Sequence, residues 1–284
     1  MTEAPASRWA LLQSVRARLG EAEVPDPVQE ARWMWERVSG ESGARALSSR
    51  DEAVSPEVWT RLESLVERRA SGEPLAYVLG ETSFRWLTIQ CDRRALIPRP
   101  ETEGLVDLVL ARQRTGCALD VGTGTGCLGL SLAREAGFDR VVAVDHSAQA
   151  LALAASNTVR LGLPLHLVRG DLTEAVAPDS VNVLVSNPPY LSRSEFEALE
   201  SGVRNWEPAQ ALLAGEDGMD AIRRLFYDGR RVVRPGGLLA MEIDSTRASQ
   251  AGQAAAESGW VDVMVLDDLF GRARYLMARR REEY

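Results

Sequence analysis

Apolar residues recur at two different periods along the chain, and the change from one to the other divides it. Over residues 1–80 the period is helical. Leu12, Val15 and Leu19, then Ala31, Trp35 and Val38, then Val58, Leu62, Leu65 and Val66 each repeat along one helix face. Ser55-Pro56 reads as a helix start, with serine as N-cap and proline in the first turn. Gly40, Gly43 and Gly72-Glu73-Pro74 mark breaks between or after these segments. A small helical domain is expected over 1–80, with Trp9, Trp33, Trp35 and Trp59 in its core or at a domain interface.

Residues 81–100 change character and read as a β-hairpin linker, with strands at 84–89 and 95–97 joined through Asp92-Arg93-Arg94. Pro98 and Pro100 stop it, and Glu101-Thr102-Glu103 opens a helix carrying Leu105, Val106, Leu108 and Val109. From Cys117 onward strand and helix alternate. Apolar runs at 117–121, 140–144, 165–169, 181–186 and 238–243 read as strands, with helical stretches between them that include 128–135 and 148–161. Such alternation implies a mostly parallel sheet with helices on both faces. The runs 261–266 and 274–279 are separated only by 267–273, and so short a connection requires an antiparallel pair. The expected fold over 101–284 is α/β, a doubly wound sheet that ends in an antiparallel C-terminal hairpin.

Composition narrows the chemistry. The formal net charge of the 284 residues is -8, whereas proteins that grip nucleic acid normally carry a basic face. No lysine occurs, so all 33 basic residues are arginine. That removes Schiff-base chemistry, a pyridoxal-phosphate lysine and the lysine of a P-loop. Cys91, Cys117 and Cys127 form no Cys-x-x-Cys pair and read as small buried apolar residues, so no metal site is expected. The sequence lacks a signal pattern and any apolar run of membrane-spanning length, which points to the cytoplasm.

Two motifs carry candidate chemistry. Asp120-Val121-Gly122-Thr123-Gly124-Thr125-Gly126 follows a strand and precedes a helix. Its glycines suit a tight turn that lets backbone approach a ligand, at the strand end where open α/β sheets bind. The Gly-x-Gly-x-Gly spacing, with an acidic residue two positions earlier, differs from the Gly-x-Gly-x-x-Gly of dinucleotide sites. It resembles the loop that surrounds the amino-acid part of S-adenosylmethionine in methyltransferases. Asp145 ends the next strand, 23 residues after Gly122 (145 minus 122), where a carboxylate can accept both ribose hydroxyls. Asp171-Leu172 ends the third strand, and His146 reads as an exposed turn residue.

The fourth strand ends in Asn187-Pro188-Pro189-Tyr190, which resembles methyltransferases acting on planar nitrogens in adenine, cytosine or glutamine. An amide nitrogen is a poor nucleophile because its lone pair is delocalised. An enzyme must hold the NH2 in line with the methyl and accept its hydrogens. The Asn187 side-chain oxygen and the Pro188 carbonyl are suitable acceptors. Pro188 and Pro189 fix the backbone, and Tyr190 can cover the flat face of the amide.

Further motifs choose among these nitrogens: Glu73-Pro74-Leu75-Ala76-Tyr77-Val78-Leu79-Gly80 with Phe84, Leu96-Ile97-Pro98-Arg99-Pro100-Glu101-Thr102-Glu103, Glu207-Pro208, Gly215-x-x-Gly218, and Asp267-Asp268-x-x-Gly271-Arg272-x-Arg274. Together they resemble the bacterial peptide chain release factor N5-glutamine methyltransferase family across nearly the whole chain. The resemblance implies a class I methyltransferase fold over 101–284 and a substrate-recognition role for 1–80. It implies S-adenosylmethionine as cofactor, leaving S-adenosylhomocysteine. It also implies, as substrate, the glutamine in the Gly-Gly-Gln loop of class I release factors. By matching position, Gly122, Thr123, Gly124, Thr125, Gly126, Asp145, Leu172 and Asn187 would meet the cofactor, and Asn187 to Tyr190 would hold the glutamine. Asp244 stands where a glycine is commoner in the family. A nucleic-acid amino-methyltransferase would share the Asn-Pro-Pro-Tyr motif, and an NAD-dependent oxidoreductase would share Asp145.

Overall fold

The computed structural model describes residues 7–41, 45 and 51–282; Gly43, read as a break, lies outside these. The chain divides into two compact units. The first holds residues 1–80 together with Ser201–Trp206, and the second holds Glu81–Glu200 and Glu207–Tyr284. The sequence leaves 201–206 inside the methyltransferase domain and sets 81–100 apart as a linker. In the structure the former groups with the helical unit and the latter with the sheet.

The first unit contains helices α1 (Arg8–Glu21), α2 (Pro27–Ser39), α3 (Pro56–Ala70) and the short α4 (Leu75–Leu79). Each long helix is capped by its own sequence. Ser7, Asp26 and Ser55 accept from backbone N–H groups of the first turns of α1, α2 and α3, satisfying donors that a helix start leaves unpaired. Leu11, Val15, Leu19, Met34, Trp35, Leu62 and Val66 make the core, and the Glu30 carboxylate pairs with Arg69 at 2.6 Å. Trp35 is buried, but Trp33, expected in a core or interface, leaves 43% of its surface exposed.

The second unit opens with a two-stranded sheet, β1 (Glu81–Phe84) and β2 (Leu87–Gln90). The hairpin therefore closes inside 81–90 instead of spanning 84–97. Arg85 takes a left-handed backbone (φ 51), which gives a two-residue turn at Arg85-Trp86. Phe84, Leu87 and Ile89 then point into the core. Ala95-Leu96-Ile97 forms no strand and lies along a pocket wall.

The main sheet has seven strands in the order β5-β4-β3-β6-β7-β9-β8. They are β3 (Thr115–Val121), β4 (Gly137–Asp145), β5 (His166–Arg169), β6 (Val181–Ser186), β7 (Val233–Glu242), β8 (Trp260–Asp267) and β9 (Ala273–Arg280). The pairs among β3 to β7 are parallel, and β9 runs antiparallel to both β7 and β8. The helices are α5 (Pro100–Leu110), α6 (Cys127–Glu135), α7 (Ala148–Leu161), α8 (Arg193–Ala198), α9 (Ser201–Arg204, in the first unit), α10 (Asp220–Val232) and α11 (Ala248–Glu257). One apolar cluster centres on Leu105, Leu130, Ala143 and Val185, the other on Leu119, Leu184, Phe226 and Leu239. Adjacent residues of β3 and β6 thus feed opposite layers, as expected of a sheet covered on both faces. This doubly wound sheet has its strand order reversal between β3 and β6, where ligand crevices form at the carboxyl ends of strands.

Candidate active site

A cavity of about 370 Å³ opens at those carboxyl ends. Gly122, Thr123, Gly124, Thr125, Asp145, Leu172, Asn187 and Pro189 all line it. The structure therefore brings the end of β3, the end of β4, the turn after β5 and the end of β6 to one space. Gly126, Pro188 and Tyr190 lie outside the lining; Tyr190 is half-buried and packs on the second core cluster.

The glycine loop is held from several directions. The Gly122 and Thr123 N–H groups both donate to the Val144 carbonyl, at 2.9 and 3.0 Å. Gly122, Gly124 and Gly126 all have positive φ, a backbone that other residues adopt only at a cost. A Cβ on Gly122 would meet no protein atom within 4 Å, so the space beside it belongs to the cavity. Asn157 of α7, wholly buried, donates to the Thr125 carbonyl at 2.9 Å and exchanges hydrogen bonds with the Gln90 backbone.

Asp120 braces the loop from beneath. Its Oδ2 accepts from the Thr123 hydroxyl (2.6 Å) and the Gly129 N–H (3.0 Å), while Oδ1 is buried without a partner. Burial pushes this carboxyl up to about 6; the Asp145 charge adds to the rise, while the two hydrogen bonds resist it.

Asp145 uses one lone pair on each oxygen within the protein. Oδ2 accepts from the Gly124 N–H and Oδ1 from the Ser147 N–H, both at 2.9 Å. A carboxylate offers about four acceptor sites, so capacity for a vicinal diol remains at the cavity wall. Asp171 pairs with Arg224 at 2.9 Å, and Leu172 beside it adopts φ 48. His146 is exposed, with Nε2 3.2 Å from the Gln210 side-chain oxygen.

Asn187 follows directly on β6, whose last residue, Ser186, donates to the Val121 carbonyl at 2.7 Å. That bond ties the start of the Asn-Pro-Pro-Tyr motif to the start of the glycine loop. The Asn187 side-chain NH2 donates to the Thr102 hydroxyl at 3.0 Å, and that hydroxyl donates to the Glu242 carboxylate at 2.6 Å. Burial raises the Glu242 carboxyl to about 6; Glu101 adds to the rise, opposed by the Thr102 bond, Arg274 and Arg99. Tyr190 is likewise pushed up to about 12, by burial and then by the Glu242 charge.

Thr102, Glu242 and Glu207 are the site residues that sequence reasoning missed. Glu207 is buried, accepts from the Ile97 N–H at 3.1 Å and pairs with Arg99 at 2.5 Å, fixing the wall segment 95–99. Glu242 carried a signal, because a carboxylate at the end of the apolar run 238–243 breaks the pattern of a buried strand. Thr102 lies within the Leu96–Glu103 motif that carries the family resemblance, but nothing local marks its hydroxyl for this site. Asp244, the departure from the family pattern, sits at φ -73 in extended backbone and accepts from the Thr246 N–H, so no glycine is needed there.

Fold and site together define a class I, S-adenosylmethionine-dependent methyltransferase. Two solved structures support the fold alone. A methyltransferase from Pyrococcus furiosus gives a TM-score of 0.52 at 18% identity, covering 68% of this chain and 88% of that one. The T. thermophilus 16S rRNA N2 G1207 methyltransferase, in complex with AdoMet and guanosine, gives 0.51 at 18% identity, covering 71% and 50%. Residues 10–80 match the PrmC N-terminal domain and residues 102–204 the methyltransferase small domain. A release factor glutamine methyltransferase of Deinococcus radiodurans is 38% identical over 95% of this chain and 97% of its own length. One from Cereibacter sphaeroides is 36% identical over 94% and 96%. The chain belongs to the release factor glutamine methyltransferase family.

Proposed function

We propose that this enzyme transfers a methyl group from S-adenosylmethionine to the side-chain N5 of the glutamine in the Gly-Gly-Gln loop of class I peptide chain release factors. The observation that carries the reading is Asn187-Pro188-Pro189-Tyr190 at the end of β6, beside a cavity shared with the glycine loop and Asp145. S-adenosylmethionine supplies an activated methyl on its sulfonium. Asp145 would accept the ribose hydroxyls, Leu172 would lie against the adenine, and the backbone from Gly122 to Gly126 would surround the amino-acid end. Asn187 Oδ1 and the Pro188 carbonyl accept the hydrogens of the glutamine NH2 and favour the charge that develops on nitrogen. Tyr190 flanks the flat face of the amide. Positioning supplies most of the acceleration.

The helical unit serves recognition in this reading. A glutamine loop offers little area for affinity, whereas stable protein complexes bury about 800 Å² on each partner. The test is transfer of labelled methyl from S-adenosylmethionine to intact release factor, compared with DNA, transfer RNA and ribosomal RNA. Label in the release factor alone supports the reading. Label in nucleic acid, with none in the release factor, would favour the amino-methyltransferase alternative.

A further inference from the structure

We propose that Thr102 and Glu242 set which way the Asn187 amide faces, turning its oxygen and not its nitrogen toward the substrate NH2; this rests on the reading of the site given above. The geometry is a three-member chain, Asn187 Nδ2 to Thr102 Oγ1 at 3.0 Å and Thr102 Oγ1 to Glu242 Oε2 at 2.6 Å. Thr102, at the cavity wall, is 3% exposed and Glu242 1%, so both partners are buried within the protein.

A threonine hydroxyl has one hydrogen, and an ionised carboxylate only accepts. With its hydrogen committed to Glu242, the Thr102 oxygen can only accept from its other neighbour. The face of the Asn187 amide that satisfies it is therefore the NH2. Half a turn about the amide would set two acceptor oxygens against each other and leave a buried hydroxyl oxygen unpaired, which is costly away from water. The flipped amide would also offer N–H groups to a substrate that itself offers N–H groups.

The chain spans separate elements, so it holds Asn187 by tertiary structure. Thr102 lies in the first turn of α5 and Glu242 ends β7, which pairs directly with β6 through Ser186 and Met241. Glycine loop, motif and relay thus share one sheet end. Neither Thr102 nor Glu242 needs to touch the glutamine. Both are positioning residues.

The test uses the full chain with Thr102→Val, Thr102→Ser and Glu242→Gln. In 15N-labelled protein, the Asn187 side-chain NH2 signal is identified as the pair missing in Asn187→Ala. Thr102→Val should shift that pair and speed its hydrogen exchange, and so should Glu242→Gln, whose NH2 can donate to the Thr102 oxygen and free the hydroxyl to face the Asn187 oxygen, while Thr102→Ser, which keeps the hydroxyl, should largely preserve it. With release factor as substrate, Thr102→Val should lower kcat on the order of a hundredfold, with KM for the release factor and Kd for S-adenosylmethionine unchanged. Thr102→Ser should recover most of the rate. The proposal is overturned if Thr102→Val keeps the wild-type signal or wild-type kcat. It is equally overturned if Thr102→Ser is as slow as Thr102→Val, because packing of the threonine methyl would then be what matters. A wild-type enzyme that leaves release factor unmethylated defeats the functional reading instead, and the amide signal still decides the orientation.

Discussion

Gly218 lies so close to the Tyr190 carbonyl that a Cβ built on it would stand 2.4 Å from that oxygen. The glycine has φ 76, and the stretch before it holds the chain just after Tyr190 by backbone bonds, Leu191 N–H to the Leu212 carbonyl and Ala214 N–H to the Leu191 carbonyl, both at 2.9 Å. Residues 212–214 and the close approach of Gly218 therefore fix the far end of Asn187–Tyr190. Gly218→Ala should cost about 1–2 kcal/mol for the left-handed backbone alone, before the contact adds to it. Methyl transfer should fall further than cofactor affinity does. Thermal unfolding and turnover on release factor check this; a variant with wild-type turnover contradicts it.

Asp145→Ala should weaken S-adenosylmethionine binding. Loss of a charged acceptor costs roughly 1.5–3 kcal/mol, about ten- to a hundredfold or more in Kd. The Gly124 and Ser147 N–H groups also lose the carboxylate that receives them. Calorimetric titration reads the loss directly, and undiminished affinity would remove Asp145 from the ribose.

Asn187→Ala should leave the fold intact and reduce turnover on the order of a hundredfold or more, since one preorganised polar contact is lost. Circular dichroism and turnover on release factor measure the two halves of the expectation. Wild-type turnover would contradict the mechanism.

Asp120 predicts a pH dependence of stability. Its folded pKa, about 6, lies above the ordinary 3.8. The native state therefore holds this proton more tightly, and the resulting stabilisation is complete below about pH 4 and lost as pH rises through about 6. Asp120→Asn keeps an acceptor for Thr123 and Gly129 and does not titrate. Between about pH 4 and 7 the wild type should lose stability relative to this variant by on the order of 3 kcal/mol. Urea unfolding of both proteins across that range is the measurement. A difference that stays constant with pH would contradict it.

The apolar periods were enough to place the strands of the main sheet, because buried parallel strands are near-continuous apolar runs that few other elements imitate. Gly122 to Gly126, Asp145 and Asn187 stood out because each follows such a run. The hairpin turn at Arg85-Trp86 was hidden, since φ 51 at an arginine has no local signature. It is sustained from elsewhere, by Glu135 at 2.6 Å and Asp107 at 2.8 Å on the guanidinium and by Glu103 on the backbone N–H. The relay through Thr102 and Glu242 was hidden for the same reason, since its members lie 85 and 140 positions apart. The return of Ser201–Trp206 to the helical unit likewise depends on tertiary grouping that a single sequence does not display.

On the proposed reading, the atom that reacts is the side-chain nitrogen of one glutamine. Tandem mass spectrometry of an unmethylated class I release factor, after incubation with this enzyme and S-adenosylmethionine, tests it most directly. One added methyl group is expected, located on the glutamine of the Gly-Gly-Gln loop and strongly depleted over the same time when Asn187→Ala replaces the wild type. A methyl group on a different residue, or an unmodified release factor in the presence of active enzyme, would contradict it.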